Sequence, residues 1–223
     1  VMEITKAGDE NKGKFIMMVT GNSNNQSIPV YLGSDLVNWK SAGTITIVDE
    51  NGESAADAAT SDLWAMEMIY DETENKYYLF FSATPTTPNS AIEKVPYVAV
   101  GDSYTGNFKL INHSDYKYAD NTALTSKDGT DKLGYASYLK YSAFDPYQMG
   151  QALTNVGLVS DPTAKPFAAI DMHPFVASDG EKYLYLSITS ATSGQVILGV
   201  KMTDWETPEY DTLTVLTKNK YSQ

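Results

Sequence analysis

The stretch Lys76-Tyr77-Tyr78-Leu79-Phe80-Phe81-Ser82 decides the fold of this chain, because similar apolar runs occur at two other places in the sequence. The other copies are Lys14-Phe15-Ile16-Met17-Met18-Val19 and Lys182-Tyr183-Leu184-Tyr185-Leu186-Ser187. Each copy is followed by a second apolar run and a polar turn. Internal repetition of this kind is typical of stacked or radial architectures. We therefore predict a repeating unit of consecutive antiparallel strands.

A further strand is predicted before each copy: Val1–Thr5, Leu63–Tyr70 and Ile170–Val176. The apolar runs are six to eight residues long and are bounded by Gly, Asn, Asp and Pro. Short bounded runs favour strands, and no window keeps a helical period over three turns. In a β-propeller the first strand of each blade lines a central channel. The prediction is an all-β, β-propeller fold with blades of about residues 1–61, 62–165 and 166–223, forming a single partial domain.

The longest irregular stretch runs from about Asn107 to Lys165 and lies between the second and third predicted blades. Long insertions in compact domains are often functional or line a pocket. We expect this one to pack against the domain through its aromatic residues, which are Tyr135, Tyr138, Tyr141, Phe144 and Tyr147.

Composition excludes several classes of function. The 223 residues carry a net charge of -12, and all 16 basic residues are Lys. Such a surface repels phosphate backbones, and it lacks the guanidinium groups that read guanine, so no nucleic-acid partner is expected. The chain contains no Cys, which excludes disulfides and thiolate metal sites. No apolar run approaches the roughly 20 residues of a membrane span.

Four segments together resemble family 43 of the glycoside hydrolases, which contains β-xylosidases, α-L-arabinofuranosidases and endo-arabinanases. These segments are Ser34–Trp39, Trp64–Glu67, Lys76–Ser82 and Ile170–Tyr185. The resemblance implies a five-bladed propeller of which about three blades are present. It also implies a secreted, cell-surface or periplasmic bacterial enzyme that cleaves arabinose- or xylose-containing plant polysaccharides by an inverting acid/base mechanism.

The resemblance assigns a catalytic role to Asp171, in a segment similar to the Ile-Asp-Pro pattern of the family. Met172 stands where the family usually has Pro. In the family, an Asp on the first inner strand is the general base, an Asp on the third raises the pKa of the acid, and a Glu on the fourth is the acid. Asp171 corresponds to the second of these. We expect the base to lie just before Val1 and the acid beyond Gln223, and therefore expect the chain to be inactive alone.

Asp171 and Trp64 are predicted to share one register, because Asp171 lies four residues before Phe175 and Trp64 lies four before Met68. Both would then occupy the first channel-facing position of their strands. Trp64 suits stacking against a sugar ring, since a flat aromatic surface matches its apolar face. The alternative interpretations are that Asp171 bonds backbone at the start of a strand and that Trp64 packs between blades.

Glu67 and His173 are further candidates for substrate binding. His173 shares a strand face with Asp171, because alternate residues of a strand point the same way. Glu67 could instead be a solvated or paired carboxylate, and His173 a structural residue bonded to a loop. His113, beside Asn112 and Ser114 in a polar stretch, is expected to be exposed.

No cofactor is predicted from local motifs, since neither a paired-His spacing nor a calcium-loop pattern occurs. The family often carries a metal ion at the channel, with a His from a later blade, so the sequence neither predicts nor excludes a structural calcium. The predicted partners are a carbohydrate substrate and the remaining blades of the same propeller. Two alternatives remain open: a non-catalytic carbohydrate-binding propeller and a purely structural repeat domain.

Overall fold

The computed structural model describes residues 1–20, 27–55, 61–84, 94–117, 139–161, 169–190 and 194–218. Within these ranges the chain forms twelve strands and one helix. In chain order they are β1 (Met2–Glu3), β2 (Phe15–Met18), β3 (Ser27–Gly33), β4 (Trp39–Val48), β5 (Ser61–Asp71), β6 (Lys76–Thr84), β7 (Val95–Gly101), β8 (Gly106–Leu110), α1 (Pro146–Asn155), β9 (Ala169–Val176), β10 (Lys182–Ser190), β11 (Gly194–Asp204) and β12 (Thr207–Lys218).

The strands form three antiparallel meanders of four strands each, here called sheet 1 (β1–β4), sheet 2 (β5–β8) and sheet 3 (β9–β12). In each sheet, every strand pairs with the next along the chain. The first strands are neighbours in space, since β5 contacts both β1 and β9. Meanders whose first strands converge are the blades of a propeller. The predicted fold is therefore confirmed.

Sheets 1 and 2 are also joined through their last strands. β4 pairs with β8 in parallel, with Ile45 opposite Gly106 and Val48 opposite Lys109. The two sheets thereby form one continuous ladder of eight strands. Sheet 3 is a separate ladder of four strands.

Sheet 2 is buried on both faces, which explains why β6 is apolar along almost its whole length. Tyr77, Leu79 and Phe81 belong to a core shared with sheet 1. Tyr78 and Phe80 point the other way, into a core shared with sheet 3. Alternation of side chains along a strand divides a continuous apolar run between two interfaces in this way.

The repeat has a different register in the third sheet from the one the sequence predicts. Leu184 and Leu186 of sheet 3 face the preceding sheet, sheet 2. In sheet 2 the side chains that face the preceding sheet, sheet 1, are those of Leu79 and Phe81. Glu181 rather than Lys182 therefore corresponds to Lys76. The Ala177 N–H donates to the Glu181 carbonyl oxygen and closes a loop of three residues, 178–180, whereas the paired Asp71 and Lys76 enclose four, 72–75. Aligning the two lysines therefore shifts every side chain to the opposite face.

The described parts of the stretch 107–165, which are 107–117 and 139–161, contain more regular secondary structure than predicted. The first residues of the stretch complete β8, and Pro146–Asn155 form the helix α1. Asp145 caps this helix, because its side chain accepts hydrogen bonds from the backbone N–H groups of Tyr147 at 2.8 Å and Gln148 at 3.4 Å. An Asp followed by Pro is a helix-start signal, and the sequence interpretation overlooked it.

The prediction that the aromatic residues of this stretch pack against the domain holds for some of them. Tyr141 and Phe144 are buried, as expected, and Tyr147 is half-buried. Tyr135 and Tyr138 lie outside the described residues. The expectation that His113 is exposed is wrong: the residue is half-buried, and its ring stacks on Tyr116 with 4.2 Å between centroids. Burial lowers the pKa of His113, against the opposing effect of Asp115 and Asp204.

The boundaries proposed for the blades, about 1–61, 62–165 and 166–223, stay a prediction. Within the described ranges, none of the helices is both long and apolar enough to cross a bilayer.

Candidate functional site

The candidate site is built on the first strands of sheets 2 and 3. β5 and β9 contact each other, and each pairs on its other side with the second strand of its own sheet. Side chains on these two strands can therefore meet although they are about a hundred residues apart in sequence. All four predicted site residues lie on this strand pair: Trp64 and Glu67 on β5, Asp171 and His173 on β9.

Each of the two strands contains a β-bulge at corresponding places. On β5, Ala65 and Met66 lie between the pairs Trp64–Ser82 and Glu67–Phe80, opposite the single residue Phe81. On β9, Asp171 and Met172 lie between the pairs Ile170–Ser187 and His173–Tyr185, opposite Leu186. Bulges re-aim side chains and are common next to active sites.

The bulges correct the predicted register. Ala65, and not Trp64, corresponds to Asp171. These two residues also share an unusual backbone conformation, with φ of 50° at Ala65 and 56° at Asp171. The four-residue count failed because it matched Phe175 with Met68, whereas the two bulges match Phe175 with Ile69. Trp64 instead corresponds to Ile170.

Asp171 is exposed. A positive φ is uncommon for residues other than Gly, although Asp adopts it more readily than most. Alternation would place Asp171 and Met172 on opposite faces, and Met172 is buried in the core between sheets 2 and 3. Met172 is therefore buried while the Asp171 carboxylate faces solvent.

Glu67 and His173 form a pair that joins the two first strands. Glu67 Oε2 lies 3.1 Å from His173 Nδ1, and both side chains are about half exposed. The imidazole also lies nearly parallel to the Tyr185 ring, 15° between planes and 6.3 Å between centroids. This arrangement presents a carboxylate and an imidazole side by side at the surface. Such a pair can accept hydrogen bonds from sugar hydroxyls through the carboxylate and donate hydrogen bonds to them through the imidazole N–H.

Trp64 is 39% exposed, which is unusual for so large an aromatic side chain. One face of its indole is covered by Lys94, whose Nζ lies 3.7 Å from the ring centroid. The sequence interpretation missed Lys94. It comes just before β7, far from the predicted site in sequence, and nothing in its local motif signals the contact.

Ser82 fixes the start of β9 relative to sheet 2. It is fully buried, and its hydroxyl donates a hydrogen bond of 3.0 Å to the carbonyl oxygen of Ala169. Ala169 precedes Asp171 by two residues, and Ser82 is itself paired with Trp64. One buried hydrogen bond therefore ties the two bulged regions together.

In the part of the chain that the structure describes, His, Asp and Glu side chains are nowhere grouped in threes or more so as to hold a metal ion. The Glu67–His173 pair supplies two candidate ligands and lacks a third among these residues. A metal ion bound at this pair would therefore need ligands from elsewhere.

The sequence matches a known family model over most of its length. A model described as glycosyl hydrolases family 43 matches residues 5–165, which is more than two thirds of the chain. Trp64 and Glu67 lie within the matched residues, and Asp171 and His173 lie beyond them.

Solved structures share the fold at low sequence identity. A thermostable family-43 glycoside hydrolase is similar with a TM-score of 0.59 and 18% identity, covering 96% of this chain and 52% of that one. An endo-arabinase from Bacteroides thetaiotaomicron has a TM-score of 0.51 and 19% identity, covering 92% and 55%. A family-43 β-1,3-galactosidase has a TM-score of 0.54 and 18% identity, covering 92% and 59%.

The chain thus spans between half and three fifths of the length of these three structures. A search of curated proteins finds no match.

Proposed function

Because this chain belongs to family 43 of the glycosyl hydrolases, we propose that the protein is a glycoside hydrolase acting on arabinose- or xylose-containing plant polysaccharides or oligosaccharides. The observation that carries the proposal is the family match over residues 5–165. The geometry supports it, since two adjacent first strands present an exposed carboxylate, a carboxylate–imidazole pair and a partly exposed indole. Plant polysaccharides lie outside bacterial cells, so we propose a secreted or surface-bound bacterial enzyme.

The proposed mechanism is inverting hydrolysis. It needs one protonated carboxyl group to donate to the leaving oxygen and one carboxylate to activate water, with roughly 6.5–9.5 Å between them. We assign neither group to a residue of this chain. Asp171 is proposed as a third carboxylate, which disfavours the charged form of the acid by repulsion and so raises its pKa. In this role Asp171 exchanges no proton with substrate.

Trp64, Glu67 and His173 are proposed to contact the sugar. The exposed part of the Trp64 indole offers a flat apolar surface for one face of a sugar ring. Glu67 and His173 hold each other in place, and their remaining polar atoms are available to hydroxyl groups. A ring between these groups would lie beside Asp171, since all four residues belong to two neighbouring strands.

Further blades of the same propeller are proposed as the partner of sheet 3. On sheet 2, the face that carries Tyr78, Phe80 and Val98 is buried against sheet 3. The corresponding face of sheet 3 carries Tyr183, Tyr185 and Gly199, and these residues line an open groove.

Large apolar side chains remain exposed on or beside that face: Phe175 at 43%, Ile197 at 44% and Leu216 at 53%. Contiguous exposed apolar surface of this kind marks an interaction site. We propose that a fourth four-stranded sheet covers this face, packed as sheet 3 packs on sheet 2.

The test compares the protein as its gene encodes it with the 223-residue chain. Both are assayed on aryl α-L-arabinofuranosides, aryl β-D-xylosides and aryl β-D-galactosides. NMR follows the anomeric configuration of the sugar that is first released. We expect hydrolysis with inversion by the first and none by the second. Equal activity of the two would contradict the assignment of the acid and base to parts outside this chain. Sugar binding without hydrolysis by the gene-encoded protein would favour a carbohydrate-binding propeller.

The role of Asp171 is tested by Asp171→Asn in the active protein. We expect kcat to fall by about a hundredfold or more, because general acid catalysis contributes on that scale, while KM changes little. The matched control is Asp211→Asn, which alters an exposed Asp on β12 and should leave kcat unchanged. Full activity of Asp171→Asn would remove Asp171 from the mechanism.

A further inference from the structure

Lys94 is a lysine almost withdrawn from solvent, with only 10% of its side chain exposed. Its ammonium group donates hydrogen bonds to the Thr84 hydroxyl at 3.0 Å and to the Asp62 carbonyl oxygen at 3.1 Å. The Asp62 carboxylate lies 3.5 Å away. A buried cation needs such partners, because removal from water without them is costly.

A further partner of the ammonium is the Trp64 indole, at 3.7 Å from the ring centroid. Asp62 and Thr84 lie on the adjacent strands β5 and β6, so they fix the position of Nζ relative to the sheet. The Trp64 indole therefore packs against an ammonium group whose position is fixed. Cation–π attraction is strongest for Trp and increases when the cation is desolvated, as it is here.

The backbone around Trp64 gives the indole little support of its own. The Trp64–Ser82 pair is isolated between two register shifts, one on each side. Asp62 and Ala65, which flank it, both have positive φ, at 52° and 50°. A regular ladder does not hold this residue, so contacts of the side chain must set its orientation.

We propose that Lys94 is a positioning residue that holds the Trp64 indole as a one-sided platform for a sugar ring. Lys94 occupies one face of the indole, and a ring can stack only on the other. This inference rests on the proposed function, because that function makes Trp64 a sugar contact. The inference adds Lys94 as the residue that determines which face of the Trp64 indole contacts the sugar.

A second Lys–Trp contact in the chain shows what is specific to this one. Lys182 Nζ lies 5.3 Å from the Trp205 ring centroid, but Trp205 is 1% exposed and packs in the core between sheets 2 and 3. No ligand can reach that indole. Among the described tryptophans, only Trp64 combines a close cation with an exposed indole.

The test uses the gene-encoded protein labelled with 5-fluorotryptophan, and the resonance lost in Trp64→Phe identifies Trp64 in the ¹⁹F NMR spectrum. In Lys94→Met we expect this resonance to shift and broaden while those of Trp39 and Trp205 stay in place. Titration with xylotriose and arabinotriose should show affinity weakened by about 2- to 30-fold, the range expected for a cation–π contact. Lys94→Arg, which restores the cation, should recover most of the affinity.

Lys6→Met is the matched control, because Lys6 lies over the rings of Tyr70 and Tyr77 at 5.7 and 5.6 Å and does not touch Trp64. It should change neither the Trp64 resonance nor sugar binding. Should Lys94→Met fail to fold, Lys94→Gln keeps a donor toward Thr84 without the charge, and the same spectral change is expected.

Two failures are distinguishable. A Trp64 resonance that responds to sugar but not to Lys94→Met, with affinity unchanged, would overturn this inference alone. A resonance that responds to Lys94→Met but to none of the sugars would overturn Trp64 as a sugar contact, and with it the platform.

Discussion

Two residues with left-handed backbone lie at corresponding bulges of neighbouring strands, and only one of them carries a functional group. Ala65 and Asp171 have φ of 50° and 56°. For residues other than Gly this conformation costs on the order of 1–2 kcal/mol. The surrounding strand pairs impose it at both places. At position 171 the strained backbone carries an exposed carboxylate. At position 65 it carries only a methyl group, which has no functional role in the proposed site.

The first prediction follows from this difference. Ala65→Gly should leave the free energy of unfolding unchanged or raise it by up to about 1 kcal/mol, because Gly adopts positive φ without a steric cost. The matched control is Ala42→Gly on β4, a half-buried Ala without positive φ, which should lose about 0.5–1 kcal/mol. Urea unfolding measures both. Equal destabilisation by the two changes would contradict strain at Ala65.

Glu50 is the residue through which the segment 139–141 is anchored to sheet 1. Its carboxylate accepts hydrogen bonds from Lys140 at 3.0 Å, from Asn112 at 2.9 Å and from the Tyr141 hydroxyl. Burial raises the pKa of Glu50, but the hydrogen bonds from Tyr141, backbone and Lys140 outweigh it and lower the pKa to about 2. The ionised form is therefore the one that the folded state favours.

The second prediction concerns pH. Because the folded pKa of Glu50 lies below the ordinary value of 4.5, its ionisation stabilises the fold fully above about pH 4.5. That contribution is lost as the pH falls toward about 2. Glu50→Gln should therefore unfold more easily than the unchanged chain at pH 7, with a difference that shrinks between these two values. Tyr141→Phe should weaken the same pH dependence, and a difference that is constant with pH would contradict the assignment.

At the scale of elements, the junction between sheets 2 and 3 contains a buried ion pair. Asp71 at the end of β5 is 4% exposed, and its carboxylate lies 2.5 Å from Nζ of Lys182 at the start of β10. Burial raises the pKa of Asp71, but the bond from Lys182 and those from backbone outweigh burial and lower the pKa below its usual value. The pair therefore stabilises the contact between the two hairpin ends.

The third prediction is that Asp71→Asn costs about 3 kcal/mol of the free energy of unfolding, since removal of one partner leaves the other charge without compensation. Asp102→Asn is the matched control. Asp102 also pairs with a lysine, Lys76, but this pair lies at the surface. Exposed pairs contribute little, so this change should have no measurable effect in the same urea titration. Similar losses from both variants would contradict the importance of burial.

The elements that the sequence predicts well are strands with an uninterrupted apolar run. The β6 and β7 runs, and the order of strands within each sheet, follow from apolar periodicity and turn residues. The helix α1 was overlooked because it is short, although Asp145-Pro146 marks its start. The parallel pairing of β4 with β8 depends on how whole sheets approach each other, and no local pattern encodes it.

The candidate site was predictable in part. The sequence indicates that Trp64, Glu67, Asp171 and His173 lie on the first strands of two blades, and the structure places them there. It does not indicate the bulges, because neither Ala65 nor Asp171 is the Gly that usually marks positive φ. It also does not indicate Lys94, whose relation to Trp64 exists only through packing across sheet 2.

At the scale of the whole molecule, the three sheets differ in how much of their surface is covered. Sheet 2 lies between the other two and is buried on both faces, whereas one face of sheet 3 carries exposed Phe175, Ile197 and Leu216. Strands with one uncovered face have fewer apolar contacts, which lowers the free energy required for local opening.

The fourth prediction is that backbone amides of β10 and β11 exchange hydrogen faster than those of β6 and β7 in the 223-residue chain. Hydrogen exchange followed by mass spectrometry measures this difference. In the gene-encoded protein, a further sheet packed on Tyr183 and Tyr185 should slow exchange in β10 and β11 to the level of β6. Equal protection of the two sheets in the 223-residue chain would contradict an uncovered face.

The two junctions between sheets differ in kind. The β4–β8 ladder links sheets 1 and 2 through backbone hydrogen bonds, in addition to the apolar core that the two sheets share. Among the described strands, sheets 2 and 3 have no such ladder and meet through side chains, including Ser82, Asp71 and Lys182. During divergence, side-chain substitutions can therefore shift sheet 3 against sheet 2, and with it Asp171 against Trp64, more readily than they shift sheet 1. The first junction stays a constant reference frame for that adaptation.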